Sequence, residues 1–293
     1  MSNASKAQRQ FKRFIGYPLE AALVYALFGF FRVMPVDAAS AVGGFLGRNI
    51  GGRLGGVKKK VRRNLAAAMP ELTRDEQDKI ILGMWDNLGR TLAEYAHLDK
   101  FGPDRVEVID GGDVATRYQT GKGFILASGH FANWEILPVT IRKNNIDAQL
   151  IYRHANNPYV EKLMQYARAG RGLKFSRKGV AGARSVHGAL RDNKVVAMLV
   201  DQKHNRGMPI PFFNRPAMTA PAVADLALKY NAPILMGRCE RLEGARFRVT
   251  TSAPLDVSSG NAEEILTRIN AQLEQWIRER PEQWLWLHKR WSD

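Results

Sequence analysis

GFILASGHFANWEILP, residues 123–138, joins an apolar run to the first turn of an amphipathic stretch and sets His130 at the junction. Phe124 to Ala127 is a continuous apolar segment of strand length, the kind buried on both faces in a parallel sheet. Gly129 interrupts it, Asn133 supplies a helix cap, and a helix is predicted over about 134–143. His130 therefore falls in the loop at the carboxyl end of a strand, where open α/β sheets hold their ligands. Glu135 falls in the first helical turn. There the helix dipole favours a carboxylate, which can curl back to the histidine and fix its tautomer so that the other ring nitrogen takes a proton. The spacing alone carries little weight, because His187 with Asp192 and His288 with Asp293 share it. His187 lies inside a predicted helix, where residues five apart do not share a face. A buried histidine bonded to its neighbours is the competing reading of His130.

Outward from this stretch, the chain after residue 105 alternates short apolar runs with helical patterns, as βαβ units do. Strands are predicted at GFILAS (123–128), DAQLIY (147–152), KVVAMLV (194–200), APILMGR (232–238) and RFRVTTS (246–252). Helices are predicted over 158–169, 180–191, 220–230 and 262–280. Before residue 105 the texture is helical. Residues 36–56 are rich in Gly and Ala, which suits close helix packing. Thr73 and Glu76 form a capping-box pattern ahead of an apolar stripe from Ile80 to about Leu98, which reads as core. The expected fold class is α/β, a mixed central sheet flanked by helices, with an N-terminal membrane-associated helix and a helical lead-in. The expected division is an anchor at 1–35, a lead-in at 36–104 and a catalytic core at 105–293, with 36–293 forming one folded unit.

Lys and Arg outnumber Asp and Glu by 44 to 28, a formal charge of +16. That balance points to anionic partners: nucleic acid, an anionic membrane surface, or acidic substrates and carrier proteins. One cysteine, Cys239, excludes an internal disulfide framework. Residues 14–35, FIGYPLEAALVYALFGFFRVMP, contain only Glu20 and Arg32 as charges and follow Lys6, Arg9, Lys12 and Arg13. They read as a membrane-associated helix near spanning length, with a buried core helix as the alternative. No A-x-A-like site follows, which favours a retained anchor over a removable signal. Basic residues flank both ends, through Arg48, Arg53 and KKKVRR at 58–63, so a simple span and a helix lying in the interface both fit.

The chain contains no G-x-S-x-G elbow, phosphate loop, G-x-G-x-x-G after a strand, H-E-x-x-H or paired cysteines. Covalent serine catalysis and nucleotide, dinucleotide and zinc chemistry lose their usual marks. Basic residues crowd the segments after the central strands, among them Arg153, Arg168, Arg171, Lys174, Arg177, Lys178 and Arg184. Arg153 is the candidate from this group, because it ends a strand on the same edge as His130; arginine forks suit phosphates and carboxylates. Asp201 ends the strand at 194–200 on that edge too, either orienting a donor or substrate hydroxyl or capping a loop.

GHFANWE (129–135), IYRHANNPYVEKL (151–163), the segment from Met198 to Ile234 and PEQWLWLHKRW (281–291) together resemble, in order and interval, the bacterial lipid A biosynthesis acyltransferase family. The resemblance covers nearly the whole chain. It implies an inner-membrane enzyme facing the cytoplasm that moves a fatty acyl chain from acyl carrier protein to a hydroxyl of a Kdo-bearing lipid A precursor, with no metal or other cofactor. It further implies that His130 and Glu135 are the catalytic pair, with Arg153 and Asp201 at the site. Backbone amides near Asn133 or the Arg153 side chain are the expected oxyanion donors. Ala132 stands where the family more often has Gly, and Val200 where it commonly has Pro. The alternatives are transfer to another glycolipid, such as a phosphatidylinositol mannoside, or to a lysophospholipid. A non-catalytic, membrane-attached basic protein, perhaps one binding nucleic acid, is a further alternative. Its expected sign is aromatics interleaved with basic residues, whereas here aromatics concentrate in the N-terminal segment, PFF and the last ten residues.

Overall fold

The computed structural model describes residues 10–152, 154–169, 174–177, 180–257, 260–288 and 290–291. A π-type turn, Lys12–Gly16, leads into α1 (Tyr17–Arg32). Pro18 does not break this helix, because in the first turn its missing N–H is one the helix does not use. Three helices follow: α2 (Val36–Leu46), α3 (Gly55–Ala68) and α4 (Arg74–Glu94). The Thr73/Glu76 capping box is present at the start of α4. The stripe predicted to run to Leu98 leaves the α-helix at Glu94 and continues as a 3₁₀ stretch, Tyr95–Lys100, kinked at His97.

The Gly/Ala-rich segment does pack closely. A methyl group added at Gly43 would meet the Gly89 carbonyl oxygen at 2.5 Å and the Ala93 side chain at 2.6 Å, so α2 and α4 approach backbone to backbone. This packing fixes the C-terminal half of α4, which carries Asn87, Thr91 and Glu94 towards the sheet.

The rest of the body is a seven-stranded mixed sheet with helices on both faces, in the order β1 (Val106–Asp110), β9 (Phe247–Thr251), β8 (Ile234–Arg241), β2 (Ile125–Ser128), β5 (Val195–Leu199), β3 (Ala148–Tyr152), β4 (Lys174–Arg177). β8, β2, β5, β3 and β4 are mutually parallel; β9 runs antiparallel to β8 and carries β1 parallel to itself. The connecting helices are α5 (Val114–Gln119), α6 (Ile136–Lys143), α7 (Pro158–Ala169), α8 (Val180–Arg191) and α9 (Ala222–Tyr230), and α10 (Ala262–Glu279) follows β9. All five predicted strands are present. β1, β4 and the separate antiparallel hairpin β6 (Met208–Phe212) and β7 (Arg215–Thr219) were not predicted. Pro209, Pro211 and Pro216 hide the hairpin from periodicity, and a two-strand ribbon outside the main sheet tolerates their missing donors.

Both faces of the sheet are covered by apolar packing. The larger core gathers Ile125, Ala127, Val196, Ile234 and Met236 with the aromatics Trp276, Trp284, Trp286 and Trp291; a second cluster on the other face holds Leu126, Ile141, Leu150 and Leu235. Alternate residues of the short apolar strands therefore face different cores, which is why those strands show no polar alternation.

Candidate active site

The position of His130 follows from strand register. β2 and β5 are parallel neighbours with Ser128 opposite Leu199, and Val200 N–H donates to the Ser128 carbonyl at 2.8 Å. Two residues beyond each strand end, the loops carry His130 and Asp201 side by side. Asp201 accepts from the His130 backbone N–H at 2.7 Å and bonds Nδ1 of the imidazole at 2.7 Å. Its second oxygen also accepts from Trp284 Nε1 at 2.9 Å. Asp201 is fully buried, and burial alone would raise its carboxyl; the charge and hydrogen bonds of His130 outweigh that and hold it well below the carboxylate range. With Nδ1–H directed at a carboxylate, the neutral imidazole has Nε2 as its acceptor nitrogen, and the Gln202 amide nitrogen lies 3.2 Å from it.

Glu135 is held elsewhere. Arg168, near the end of α7, donates to it from Nε at 2.9 Å and from Nη2, and the Tyr95 hydroxyl donates to the same carboxylate. The group that fixes the imidazole is thus Asp201, not Glu135, because Asp201 comes from the adjacent strand end while Glu135 points into a buried ion pair beneath the loop. Arg168 is enclosed by the rings of Tyr95, Tyr152 and Phe175, with its guanidinium carbon 5.1 Å from the Tyr152 centroid. Its Nη1 is buried and has no hydrogen-bond partner among the described residues. Desolvation opposes the guanidinium's charge, yet Tyr95 and Glu135 raise its pKa further, so it stays a cation.

Asn133 is turned into the core. It is fully buried; its Oδ1 accepts from Glu135 N–H at 3.2 Å and its Nδ2 donates to Glu94 at 2.9 Å. The helix begins at Ile136 rather than Trp134, so Glu135 lies in the turn ahead of α6 instead of in its first helical turn, and the Glu94 bond turns the Asn133 side-chain amide into the core. Arg153 lies outside the described residues. Cys239 is buried in β8, and burial pushes its thiol well above the usual range, which makes it inert.

The C-terminal block closes the site. Trp284 bridges Phe131 in an antiparallel pair, and Ala132 N–H donates to the Gln283 carbonyl at 2.8 Å. The block delivers His288, whose ring centroid lies 4.8 Å from that of His130 and whose Nε2 is 3.2 Å from the Gln202 amide nitrogen. α3 holds the block from behind: Asn64 donates to the Trp286 and His288 carbonyls, each at 3.2 Å, and Lys60 to the Leu287 carbonyl at 2.9 Å. Arg168, Tyr95, Gln202, Trp284 and His288 are site residues that sequence reading did not select. The crowding of aromatics and a histidine into the last eleven residues was the available signal for two of them.

His130, Trp134, Glu135, Arg168, Gln202 and His204 line a cleft of about 700 Å³ that continues past Val186 and Leu226 to Lys229. A narrower apolar cavity of about 110 Å³, walled by Leu126, Leu137, Ile141, Leu150 and Phe175, shares Trp134, Glu135 and Arg168 with it. Among the described residues no set of three His, Cys, Asp or Glu groups converges to hold a metal. The cleft wall carries an imidazole oriented by a buried carboxylate and a buried cation, with an apolar slot adjoining it.

A family model for the bacterial lipid A biosynthesis acyltransferases matches residues 8–293. The chain belongs to that family. It is 26% identical over 264 residues to the lipid A biosynthesis palmitoleoyltransferase of Escherichia coli, covering 85% of this chain and 84% of that protein. It is 25% identical over 256 residues to the lipid A biosynthesis lauroyltransferase of the same organism, covering 80% and 78%. The phosphatidylinositol mannoside acyltransferase of Mycolicibacterium smegmatis is 23% identical over 279 residues, covering 89% and 87%. The solved 1-acyl-sn-glycerophosphate acyltransferase PlsC of Thermotoga maritima superposes at a TM-score of 0.39 with 14% identity, over 94% of this chain and 100% of that one, too loosely to bear on the site.

The two departures from the family pattern now have a structural reading. Val200 uses the N–H that a proline would lack, donating it to Ser128. Ala132 in this acyltransferase adopts φ 45°, a left-handed conformation costly for a residue with Cβ. It is held there by the Gln283 carbonyl on its N–H and by Asn87 and Thr91 on its carbonyl, at 3.2 and 3.1 Å, so the close backbone approach exists without glycine. Ala132→Gly is expected to stabilise the fold by up to about 1 kcal/mol through relieved strain, less the small contact area of the lost methyl. Urea unfolding of the two proteins measures it; a loss above about 1 kcal/mol would mean that the methyl's packing outweighs the strain.

His288 is expected to make the stability of the acyltransferase depend on pH. Burial and the neighbouring His130 push its imidazole down to about 4. A histidine depressed in the folded state contributes stability above its unfolded value near 6.5, and loses it as pH falls towards the folded value. Between those limits each pH unit removes up to about 1.4 kcal/mol. His97 is shifted the same way by burial, so the informative quantity is a difference. Denaturant midpoints at pH 7 and pH 4.5 should fall further in the wild type than in His288→Gln; equal falls would show that His288 is solvated.

Proposed function

We propose that this acyltransferase moves a fatty acyl chain from an acyl carrier protein thioester to a hydroxyl of a Kdo-bearing lipid A precursor, at the cytoplasmic face of the bacterial inner membrane. The observation that carries the reading is the Asp201–His130 pair, with Nε2 turned towards a cleft that also holds the Arg168 cation. His130 Nε2 takes the proton of the acceptor hydroxyl as that oxygen attacks the thioester carbonyl, while Asp201 stabilises the imidazolium. The Arg168 cation on the cleft wall, held in place by Glu135 and Tyr95, favours through its field the charge that develops on the carbonyl oxygen. Collapse of the tetrahedral species breaks the carbon–sulfur bond and the departing thiolate recovers the proton from His130 Nε2. The apolar slot beyond Trp134 receives the acyl chain and the wider cleft the acceptor. The +16 charge favours encounter with an acidic carrier protein and an anionic leaflet.

The similarity to a phosphatidylinositol mannoside acyltransferase supports a second reading, transfer to a different glycolipid. One experiment separates them. The purified protein is incubated with a mixture of acyl carrier protein thioesters and either a Kdo-bearing lipid A precursor or a phosphatidylinositol mannoside, and the lipids are weighed by mass spectrometry. A single acyl mass gained on the lipid A precursor is expected. Gain on the mannoside alone would move the assignment to the second reading, and no gain on either would remove both.

A further inference from the structure

We propose that α1 lies flat in one leaflet of an anionic membrane rather than crossing it, so that the protein sits on the surface with its cleft wall beside the lipid. The inference deepens the membrane attachment assumed above and rests on it.

The helix from Lys12 to Arg32 has 21 residues and passes the length and apolarity test for a membrane span. Packing separates its two sides. Tyr17, Ala21, Val24, Phe28 and Phe31 recur at steps of three and four and face the body, with Ala21 and Phe31 buried. Phe14, Leu19, Leu23, Leu27 and Phe30 form the outer face and are exposed, Phe14 by 70%.

The inner face is tied along its whole length. Asn157 donates to the Tyr17 carbonyl at 2.8 Å and to Glu20 at 3.2 Å, and the Tyr25 hydroxyl donates to the Tyr159 carbonyl at 3.3 Å. At the far end Arg32 donates to the Ala96 carbonyl at 2.8 Å and to Asp99, while His97 Nε2 is 2.8 Å from the Phe31 carbonyl. The chief partner of α1 is α7, whose sequence PYVEKLMQYARA carries Glu161, Lys162, Gln165 and Arg168. A crossing α1 would drag these charges into hydrocarbon or break every tie.

Further along the chain Phe45 of α2, Ile50 and Leu54 are also exposed apolar residues. Tyr159 and Tyr166 of α7 are exposed too, as interfacial aromatics are. Exposed Lys12 and Arg13 stand at one end, and exposed Arg53 at the other, beside Arg48, which is itself paired with Asp86. The nearby acids are engaged by the body: Glu20 by Asn157, Asp37 by Arg105 and Asp99 by Arg32. An apolar face rimmed by cations matches an anionic leaflet. Because α7 also turns Met164 and Arg168 into the cleft, an acceptor headgroup held at that surface meets the cleft wall one helix away.

The test uses the full chain. Cys239 is buried, so single cysteines placed by Lys12→Cys, Val33→Cys and, on the body, Asp192→Cys react against a silent background. In sealed membrane vesicles with the body outward, an impermeant maleimide should label all three without detergent. Protection of Lys12→Cys until detergent is added, with the other two labelled, would establish a span and overturn the proposal. Flotation tests the underlying attachment. Vesicles with about one-third anionic lipid should carry the protein, wholly zwitterionic ones several-fold less, and Leu23→Asp/Leu27→Asp should lose flotation. Absence of flotation with either lipid would sink the membrane reading itself rather than the orientation alone.

Discussion

Asp201→Asn is expected to cut turnover by about 10³–10⁴-fold while leaving the protein folded. The size of the effect comes from tautomer control. One Asp201 oxygen accepts from both the His130 backbone N–H and Trp284 Nε1, and the other accepts the hydrogen bond of Nδ1–H. An asparagine keeps its carbonyl oxygen on the two fixed donors, which points its NH₂ at Nδ1. The imidazole must then carry its proton on Nε2 and can no longer act as a base. Glu135→Gln leaves that geometry intact and weakens only the hold on Arg168, so its loss should be smaller. Initial rates of acyl transfer, with near-ultraviolet circular dichroism as the control for folding, rank the two. If Asp201→Asn stayed within about tenfold of wild type and Glu135→Gln fell further, Glu135 would be the imidazole's partner in the working enzyme.

The largest stability effect is expected at Glu94. Its carboxylate is fully buried and accepts from Arg241 at 2.5 and 3.0 Å, from Ser40 at 2.7 Å and from Asn133 at 2.9 Å. Arg241, at the carboxyl end of β8, also donates to Asn87 at 3.0 Å and the Gly244 carbonyl at 2.9 Å. Glu94→Ala strands a buried guanidinium and releases Asn133 and Ser40, which should cost about 3–5 kcal/mol. Because Asn133 and the Asn87 amide hold the His130 loop, activity should fall with stability. Replacing both charges, as in Glu94→Leu/Arg241→Met, should recover much of the loss of stability, since a buried pair is worth less than the penalty for half of one. Urea unfolding of the single and double variants decides; a single variant within about 1 kcal/mol of wild type would mean that water reaches the pair.

The α/β class, the five central strands and the place of His130 were legible because local rules suffice for them. A strand buried on both faces reads as an unbroken apolar run, a capping box marks α4, and a loop after a central strand lies at the edge where ligands bind. The proline-bearing hairpin and the short β1 and β4 were missed because their pairing comes from neighbours rather than from their own periodicity.

The site divided along the same line. His130 and Asp201 each announced themselves at a strand end, but only the register of β2 on β5, 71 residues apart in sequence, made them a pair. Glu135 was nearer in the chain and so the natural partner on local grounds. Tertiary structure gave it Arg168 and Tyr95 instead, since a buried carboxylate must take the cation that the packing of α7 and α4 brings to it. Trp284 and His288 reach the site through the folding-back of the last eleven residues, a long-range contact with no local signature. For α1, composition determined that the segment is apolar and long enough to cross a bilayer. Which side of it is left free of the body was decided by its packing against α7 and the 3₁₀ stretch Tyr95–Lys100, because a helix face is assigned by what packs against it.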